Sequence, residues 1–198
     1  MEANQVTGRF NYNDDLHEYR LDGKLMDHVT GVLTSVGIID LNQIPEGRLE
    51  TARSRGSRLH RATLLDDMGE LDDRGLSEDL VGGLASWRKF RRDSNLQILE
   101  AEQVIYNEQL WIAGTYDRIM RDSKGQKCLI EIKPPVVPPY TGLQLAWYEL
   151  VLGNSYFRRF GVGLRPDGKP NVVPFTDRND RNIVLGALAT ARWKRENL

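Results

Sequence analysis

Apolar positions along this chain follow two different spacings, and the spacing changes near residue 100. In the first half, apolar and small residues recur at steps of three and four over residues 45–68, and again after Ser77, which is well placed to cap a helix. In the second half, three runs alternate as strands do, at residues 101–106, 110–120 and 127–133. The pattern therefore predicts helices first and a three-stranded antiparallel meander after them.

Turn-forming residues place the remaining elements. Asp22-Gly23 lies between two short alternating runs and predicts an N-terminal hairpin within about residues 12–29. Three further elements follow the meander: a helix over 141–152, a hairpin over 156–175 and a helix over 179–194. This order predicts an α/β (α+β) fold in a single domain spanning residues 1–198, with a central mixed sheet and helices on its faces.

The composition is that of an ordinary globular protein, with 40% hydrophobic and 28% charged residues. No apolar stretch has the length of a membrane span and the first residues do not resemble a signal peptide, so we expect a cytoplasmic protein with no membrane partner. The single cysteine, Cys128, excludes an internal disulfide and an iron–sulfur cluster held by this chain alone. The net charge of −1 means that any nucleic-acid surface must come from local clusters of basic residues.

Charged residues on the second and third strands of the meander are the first candidates for chemistry. If the turn between these strands is centred on Lys124, Asp117 lies directly across from Glu131, and Lys133 follows on the same face. Two carboxylates so placed repel each other unless a cation joins them, and oxygen ligands suit Mg²⁺ or Mn²⁺. The alternative is a pair of surface carboxylates beside a lysine. Apolar neighbours on both strands indicate that the trio is at least partly buried, and the geometry alone leaves both interpretations open.

These residues belong to a set of motifs that resembles the PD-(D/E)XK nuclease superfamily. The run Ala-Gly-Thr-Tyr-Asp-Arg-Ile at 113–119, the strand Leu-Ile-Glu-Ile-Lys at 129–133, a Gln-x-x-x-Tyr pair at 144–148 and a Gly-x-x-x-His pair at 56–60 occur in the family's order. The match is closest to the RecB-like and lambda-exonuclease-like branch and to small phage-encoded exonucleases. It implies a restriction-endonuclease-like core.

The resemblance implies roles for individual residues. Metal ligands would be His60, Asp117, Glu131 and the backbone carbonyl of Ile132. Lys133 would position and activate the attacking water, and Gln144 and Tyr148 would orient Lys133 or contact nucleic acid; simple packing of their helix is the alternative. Glu102 would be a water-positioning group or a plain surface charge. Pro134-Pro135 departs from the family pattern, in which a small polar residue often follows the lysine.

The function implied is a Mg²⁺- or Mn²⁺-dependent deoxyribonuclease, using one or two ions, that acts as an exonuclease in phage-type replication, recombination or genome processing. Its partners would be DNA, as single strands or duplex ends, and phage recombination or replication proteins. Arg55 and Arg58, in a basic run beside His60, would contact phosphates. An endonuclease of the same superfamily and a catalytically silent nucleic-acid-binding module are the alternatives, and the oligomeric state is open.

Overall fold

The structure, a computed structural model, describes residues 9–14, 16–40, 45–153 and 156–198. Within these ranges the chain forms five α-helices, a short 3₁₀ helix at Asp73–Gly75 and nine strands. The helices are α1 (Val29–Ser35), α2 (Glu46–Met68), α3 (Glu78–Ser94), α4 (Thr141–Val151) and α5 (Asp180–Asn197). The strands are β1 (Phe10–Asn13), β2 (Glu18–Leu21), β3 (Lys24–Leu25), β4 (Asp27–His28), β5 (Gln97–Asn107), β6 (Ile112–Arg121), β7 (Lys127–Lys133), β8 (Arg158–Gly163) and β9 (Asn171–Phe175).

The strands form two sheets. A small antiparallel sheet has the order β1-β2-β3. The large sheet is mixed and has the order β4-β6-β7-β8-β9, with β5 paired to the other side of β6. Strands β5 and β7 both run antiparallel to β6, whereas β4 runs parallel to β6 and β8 parallel to β7. The mixed α/β fold and the three-stranded antiparallel meander predicted from the sequence are therefore confirmed.

The N-terminal region differs from a simple hairpin. Asp22 and Gly23, with φ of 49° and 76°, make the turn between β2 and β3, as their sequence indicates. Strand β1 pairs with β2 as well, although four residues with only two buried positions are too short a pattern to indicate a strand. The chain then leaves the small sheet after Leu25, and β4 pairs with the start of β6 instead.

Apolar side chains fill both faces of the large sheet. One cluster joins residues of α1, α4 and α5 to the sheet, with Trp147 at 0% exposure. The other joins α2 and α3 to the opposite face, with Trp87 at 0% exposure. Helices therefore cover both faces, and each tryptophan contributes on the order of 3–5 kcal/mol relative to alanine. No helix in the described ranges is long and apolar enough to cross a membrane.

Helix α2 is anchored only through its C-terminal half. Its buried residues are Leu59, Ala62 and Thr63, so the first three turns extend beyond the core with most side chains in solvent. A Cβ at Gly56 would lie 4.0 Å from Pro134 Cγ, which is an ordinary contact. Close packing of the helix at this point therefore does not require a glycine. The anchored half carries His60, which lies close to β5 and β6 of the large sheet.

Candidate metal centre

Three side chains from three elements converge at one point. His60 comes from α2, Glu102 from β5 and Asp117 from β6. Each offers one ligand atom, and these atoms all lie within 4.8 Å of one another. His60 Nδ1 is 3.3 Å from Asp117 Oδ1 and 3.7 Å from Glu102 Oε1. This group could hold a metal ion, and it includes Glu102, for which the sequence indicated a less direct role.

The backbone around Asp117 explains how its carboxylate is presented. The β6–β7 ladder runs from Arg121↔Lys127 to Arg118↔Ile130, and extending it by one residue places Asp117 opposite Glu131, as the turn centred on Lys124 predicts. The ladder stops there because Asp117 Oδ2 accepts the N–H of Ile132 at 2.5 Å. The other oxygen, Oδ1, is then directed towards His60. One carboxylate thus ends a strand pairing and supplies a ligand atom.

Glu102 reaches the centre through a distortion of β5. The register of β5 on β6 includes Ala101↔Arg118 and Gln103↔Tyr116 but no pair for Glu102, which has a φ of 47°. A left-handed conformation costs a non-glycine residue of order 1–3 kcal/mol and persists only where the surroundings enforce it. Such strain collects at functional sites, and here it falls on a candidate ligand.

Glu131 and Lys133 form a buried ion pair beside this group. Lys133 Nζ donates to Glu131 Oε1 at 2.8 Å, and the two side chains are 21% and 5% exposed. Among the described residues, Glu131 Oε2 is buried without a hydrogen-bond partner. A buried carboxylate oxygen that lacks a donor is costly, and a cation or a water bound at the centre would satisfy it. The donor set, rich in carboxylate oxygens, thus fits a divalent cation such as Mg²⁺ or Mn²⁺.

The charges in the centre shift each other's pKa. Burial alone would lower the pKa of His60, but the charge of Asp117 and hydrogen bonding to Asp117 and Glu102 raise it to about 10. Burial would raise the pKa of Asp117, yet the charge of His60 holds it below its usual value. Burial, and then the charge of Asp117, raises the pKa of Glu131 to about 7 against the opposing effect of Lys133. His60, with its raised pKa, and Lys133 are the cationic partners of these carboxylates, and a bound metal would compete with the proton on His60.

Gln144 and Tyr148 lie on α4 where the resemblance placed them. Both side chains are buried, and among the described residues Gln144 Oε1 has no hydrogen-bond partner. Burial raises the pKa of Tyr148, and the charges of Glu131 and Asp117 raise it further, so its hydroxyl shares their environment. Tyr19 of the small sheet approaches from the other side, with its hydroxyl 3.0 Å from Thr115 Oγ1.

Arg55 and Arg58 project towards α3. Both form ion pairs with Asp79, at 3.9 Å from Arg55 Nε and 2.7 Å from Arg58 Nη2. The structure therefore does not bring these two guanidinium groups into the cluster around His60. Their contact with phosphate stays a prediction. It would require each arginine either to leave Asp79 or to contact a phosphate and Asp79 together.

A buried arginine, Arg118, is the main residue that sequence reasoning missed. It directly follows Asp117, is 0% exposed, and forms ion pairs with Asp67 of α2 at 2.7 Å and with Glu102 at 2.8 Å. The available signal was an arginine within an apolar strand, since a buried guanidinium needs charged or polar partners. Its partners are distant in sequence, so the signal could not identify them.

Comparisons with known proteins add little to this geometry. No family model matches the chain, and no curated protein matches it. A solved structure described as the crystal structure of SSO0001 is 16% identical, covers 85% of this chain and 75% of its own, and gives a TM-score of 0.43. A cryo-EM structure of a DrdV–DNA complex is 14% identical over 68% of this chain and 13% of that chain, with a TM-score of 0.24. Neither likeness carries an argument about function. What the fold and the site define together is a mixed α/β protein with a candidate metal-binding centre.

Proposed function

We propose that this chain is a divalent-metal-dependent nuclease of the PD-(D/E)XK type that hydrolyses DNA phosphodiester bonds. The observation that carries the proposal is the convergence of His60, Glu102 and Asp117 within 4.8 Å, next to the buried pair of Glu131 and Lys133. These are the residues that the sequence motifs assign to metal and water. Among the described residues Glu131 Oε2 is buried without a hydrogen-bond partner, and a bound cation or water would satisfy it.

The chain's own groups have distinct tasks in this proposal. His60, Glu102 and Asp117 would hold the cation, with Glu131 as a further ligand and the Ile132 carbonyl as the resemblance implies. Once bound, a divalent ion supplies Lewis-acid activation of water and neutralises charge on the phosphate.

Lys133 places a fixed positive charge in the centre. Its Nζ is held by Glu131 Oε1 at 2.8 Å, so its position is set before substrate arrives. A preorganised charge of this kind stabilises negative charge that builds up in the transition state without a cost of reorientation. Glu131 Oε2 is an acceptor available to the attacking water, and the Gln144 amide and Tyr148 hydroxyl would complete the substrate side.

Cleavage of labelled DNA tests the proposal. Purified full-length protein is incubated with end-labelled single-stranded and duplex DNA in Mg²⁺, Mn²⁺ or EDTA. We expect cleavage only with a divalent ion, and a loss on the order of 100-fold or more in Asp117→Asn. Glu108→Gln is the matched control, because Glu108 is 53% exposed and pairs with Arg9 outside the centre.

The same assay separates the alternatives. An exonuclease, which the motifs favour, degrades linear DNA and leaves covalently closed circles intact, whereas an endonuclease cuts both. An RNA substrate of the same sequence tests the sugar preference. Metal-independent DNA binding with no cleavage by the unmodified protein would refute the nuclease proposal in favour of a silent binding module.

A further inference from the structure

The guanidinium of Arg118 joins the three elements that carry the three candidate metal ligands. On the side of α2, Nε donates to Asp67 Oδ2 at 2.7 Å and Nη2 donates to Thr63 Oγ1 at 3.2 Å. On the side of the sheet, Nη1 donates both to Glu102 Oε1 at 2.8 Å and to the backbone carbonyl of Asp117 at 2.6 Å. A single nitrogen therefore connects two ligand residues on neighbouring strands, while the rest of the group fixes them to the helix of His60.

The opposite end of this arrangement is itself held in place. Asp67 has a side chain only 4% exposed, accepts the indole N–H of Trp87 at 2.8 Å, and pairs with Arg91 at 2.9 Å. The Arg118 guanidinium also lies over the indole ring of Trp87, with its Cζ 5.5 Å from the ring centroid. Arg118 is thus held on one side by residues of the core, and its Nη1 is directed towards the centre.

Glu102 needs such support. Its backbone has left the regular strand conformation, and its Oε1 is the atom that faces both His60 and Arg118. Without a donor at that oxygen, the carboxylate is free to adopt rotamers that point into solvent, since its side chain is 26% exposed.

We propose that Arg118 is a positioning residue for the metal centre, which holds the carboxylate of Glu102 against the backbone of Asp117, at the separation required for a shared cation. This inference rests on the proposed function, because it concerns the same centre. It assigns Arg118, with Asp67 behind it, a role that acts through Glu102 and involves no contact with substrate.

Lysine cannot replace arginine in this role. Its ammonium keeps the charge but is a single point donor, whereas the planar guanidinium directs several N–H groups in fixed directions. Outer groups that orient metal ligands change metal affinity by about 10–100-fold when mutated. Arg118→Lys should therefore weaken Mn²⁺ binding within that range while leaving the overall charge unchanged.

The test measures Mn²⁺ affinity on the metal-free full-length protein, using the electron paramagnetic resonance signal of free Mn²⁺. The variants are Arg118→Lys, Glu102→Gln and the double variant, with Arg121→Lys as control, since Arg121 lies on the same strand and is exposed. We expect Arg121→Lys to bind as the unmodified protein does. We expect Glu102→Gln to bind more weakly, and adding Arg118→Lys to Glu102→Gln to change the Kd by less than about threefold, because the two act along one path.

Each outcome is decisive. If the unmodified protein binds Mn²⁺ and Arg118→Lys binds equally tightly, the positioning role is overturned and the proposed function stands. If the effects of the two substitutions on the Mn²⁺ Kd multiply in the double variant, Arg118 acts on the fold in general, and the proposal is equally overturned. If the unmodified protein binds no Mn²⁺, the metal centre itself is refuted. Should Arg118→Lys lose its circular dichroism spectrum, Asp67→Asn, which removes the charge of the group that accepts from Nε, replaces it in the same cycle.

Discussion

Breaking the ion pair between Lys133 and Glu131 from one side should lower the stability of the fold, whereas removing both charges should not. In Lys133→Met, Glu131 keeps its buried position, with 5% side-chain exposure, but loses the donor at 2.8 Å. Removing one partner of a buried pair costs about 3–5 kcal/mol, because the remaining charge is uncompensated. Lys133 retains 21% side-chain exposure, so we expect the lower end of this range, about 3 kcal/mol.

The double variant Glu131→Gln/Lys133→Met removes both charges and should recover the loss. Replacing a buried pair by uncharged groups of similar size is often neutral or stabilising. The assay is urea unfolding in EDTA, where a loss of about 3 kcal/mol lowers the midpoint by roughly 1 M or more at an m-value of 2–3 kcal/mol/M. Cleavage activity should be lost in both variants, so stability and activity separate.

Two results would refute this reasoning. A double variant as unstable as Lys133→Met would mean that the pair is a structural requirement of the fold. Retained cleavage in either variant would mean that the ammonium has no part in the reaction. The surface pair Lys89–Asp93, at 2.6 Å with side chains 44% and 50% exposed, is the control, and Lys89→Met should cost about 0.5 kcal/mol or less.

Three further predictions address DNA binding, metal binding and packing. Arg53 lies seven residues before His60 on α2 and hence on nearly the same face of the helix. Arg53→Gln should therefore weaken DNA binding and reduce the slope of log K against log salt concentration by about 1. Arg61, about 100° further round the helix, is the control, and Arg61→Gln should change neither quantity. Mn²⁺ at 100 times its Kd should stabilise the protein by about 2.7 kcal/mol, raising the Tm by roughly 5–10 °C, and this rise should vanish in Asp117→Asn. A Cβ at Gly82 would collide with the backbone carbonyl of Pro166 in the β8–β9 connection, so Gly82→Ala should lower the free energy of unfolding in urea by about 1–3 kcal/mol. Gly186 on α5 has open space around it, so Gly186→Ala should raise the free energy of unfolding by about 0.5–1 kcal/mol.

The sequence was sufficient for the parts of the site that follow from strand geometry. A period of two residues and a turn centred on Lys124 place Asp117 opposite Glu131 and put Lys133 on the same face. The position of His60 could come only from the motif resemblance, because nothing local to a helix says which strands it meets. The structure brings its imidazole to Asp117 and Glu102.

Local preferences could not reveal the contacts that depend on packing. The left-handed backbone of Glu102 occurs at an unpaired position between paired residues of β5, and glutamate does not favour that conformation by itself. The bond from Arg118 to Asp67 spans 51 positions along the chain and exists only because α2 lies across the sheet. Arg55 and Arg58 were expected at phosphates because they adjoin His60, yet the nearer acceptor is Asp79 of the next helix.

Several features that sequence rules disfavour occur together in the candidate metal centre. A strained glutamate, a buried carboxylate with an unsatisfied oxygen, a buried ammonium and a fully buried guanidinium each lower stability unless their neighbours compensate. Apolar clusters on both faces of the large sheet offset this cost. If this is the correct account, removing the charges of Lys133 and Glu131 together should cost the protein its activity and leave its stability equal or higher, because the pair exists for the chemistry of the centre and the fold does not need it.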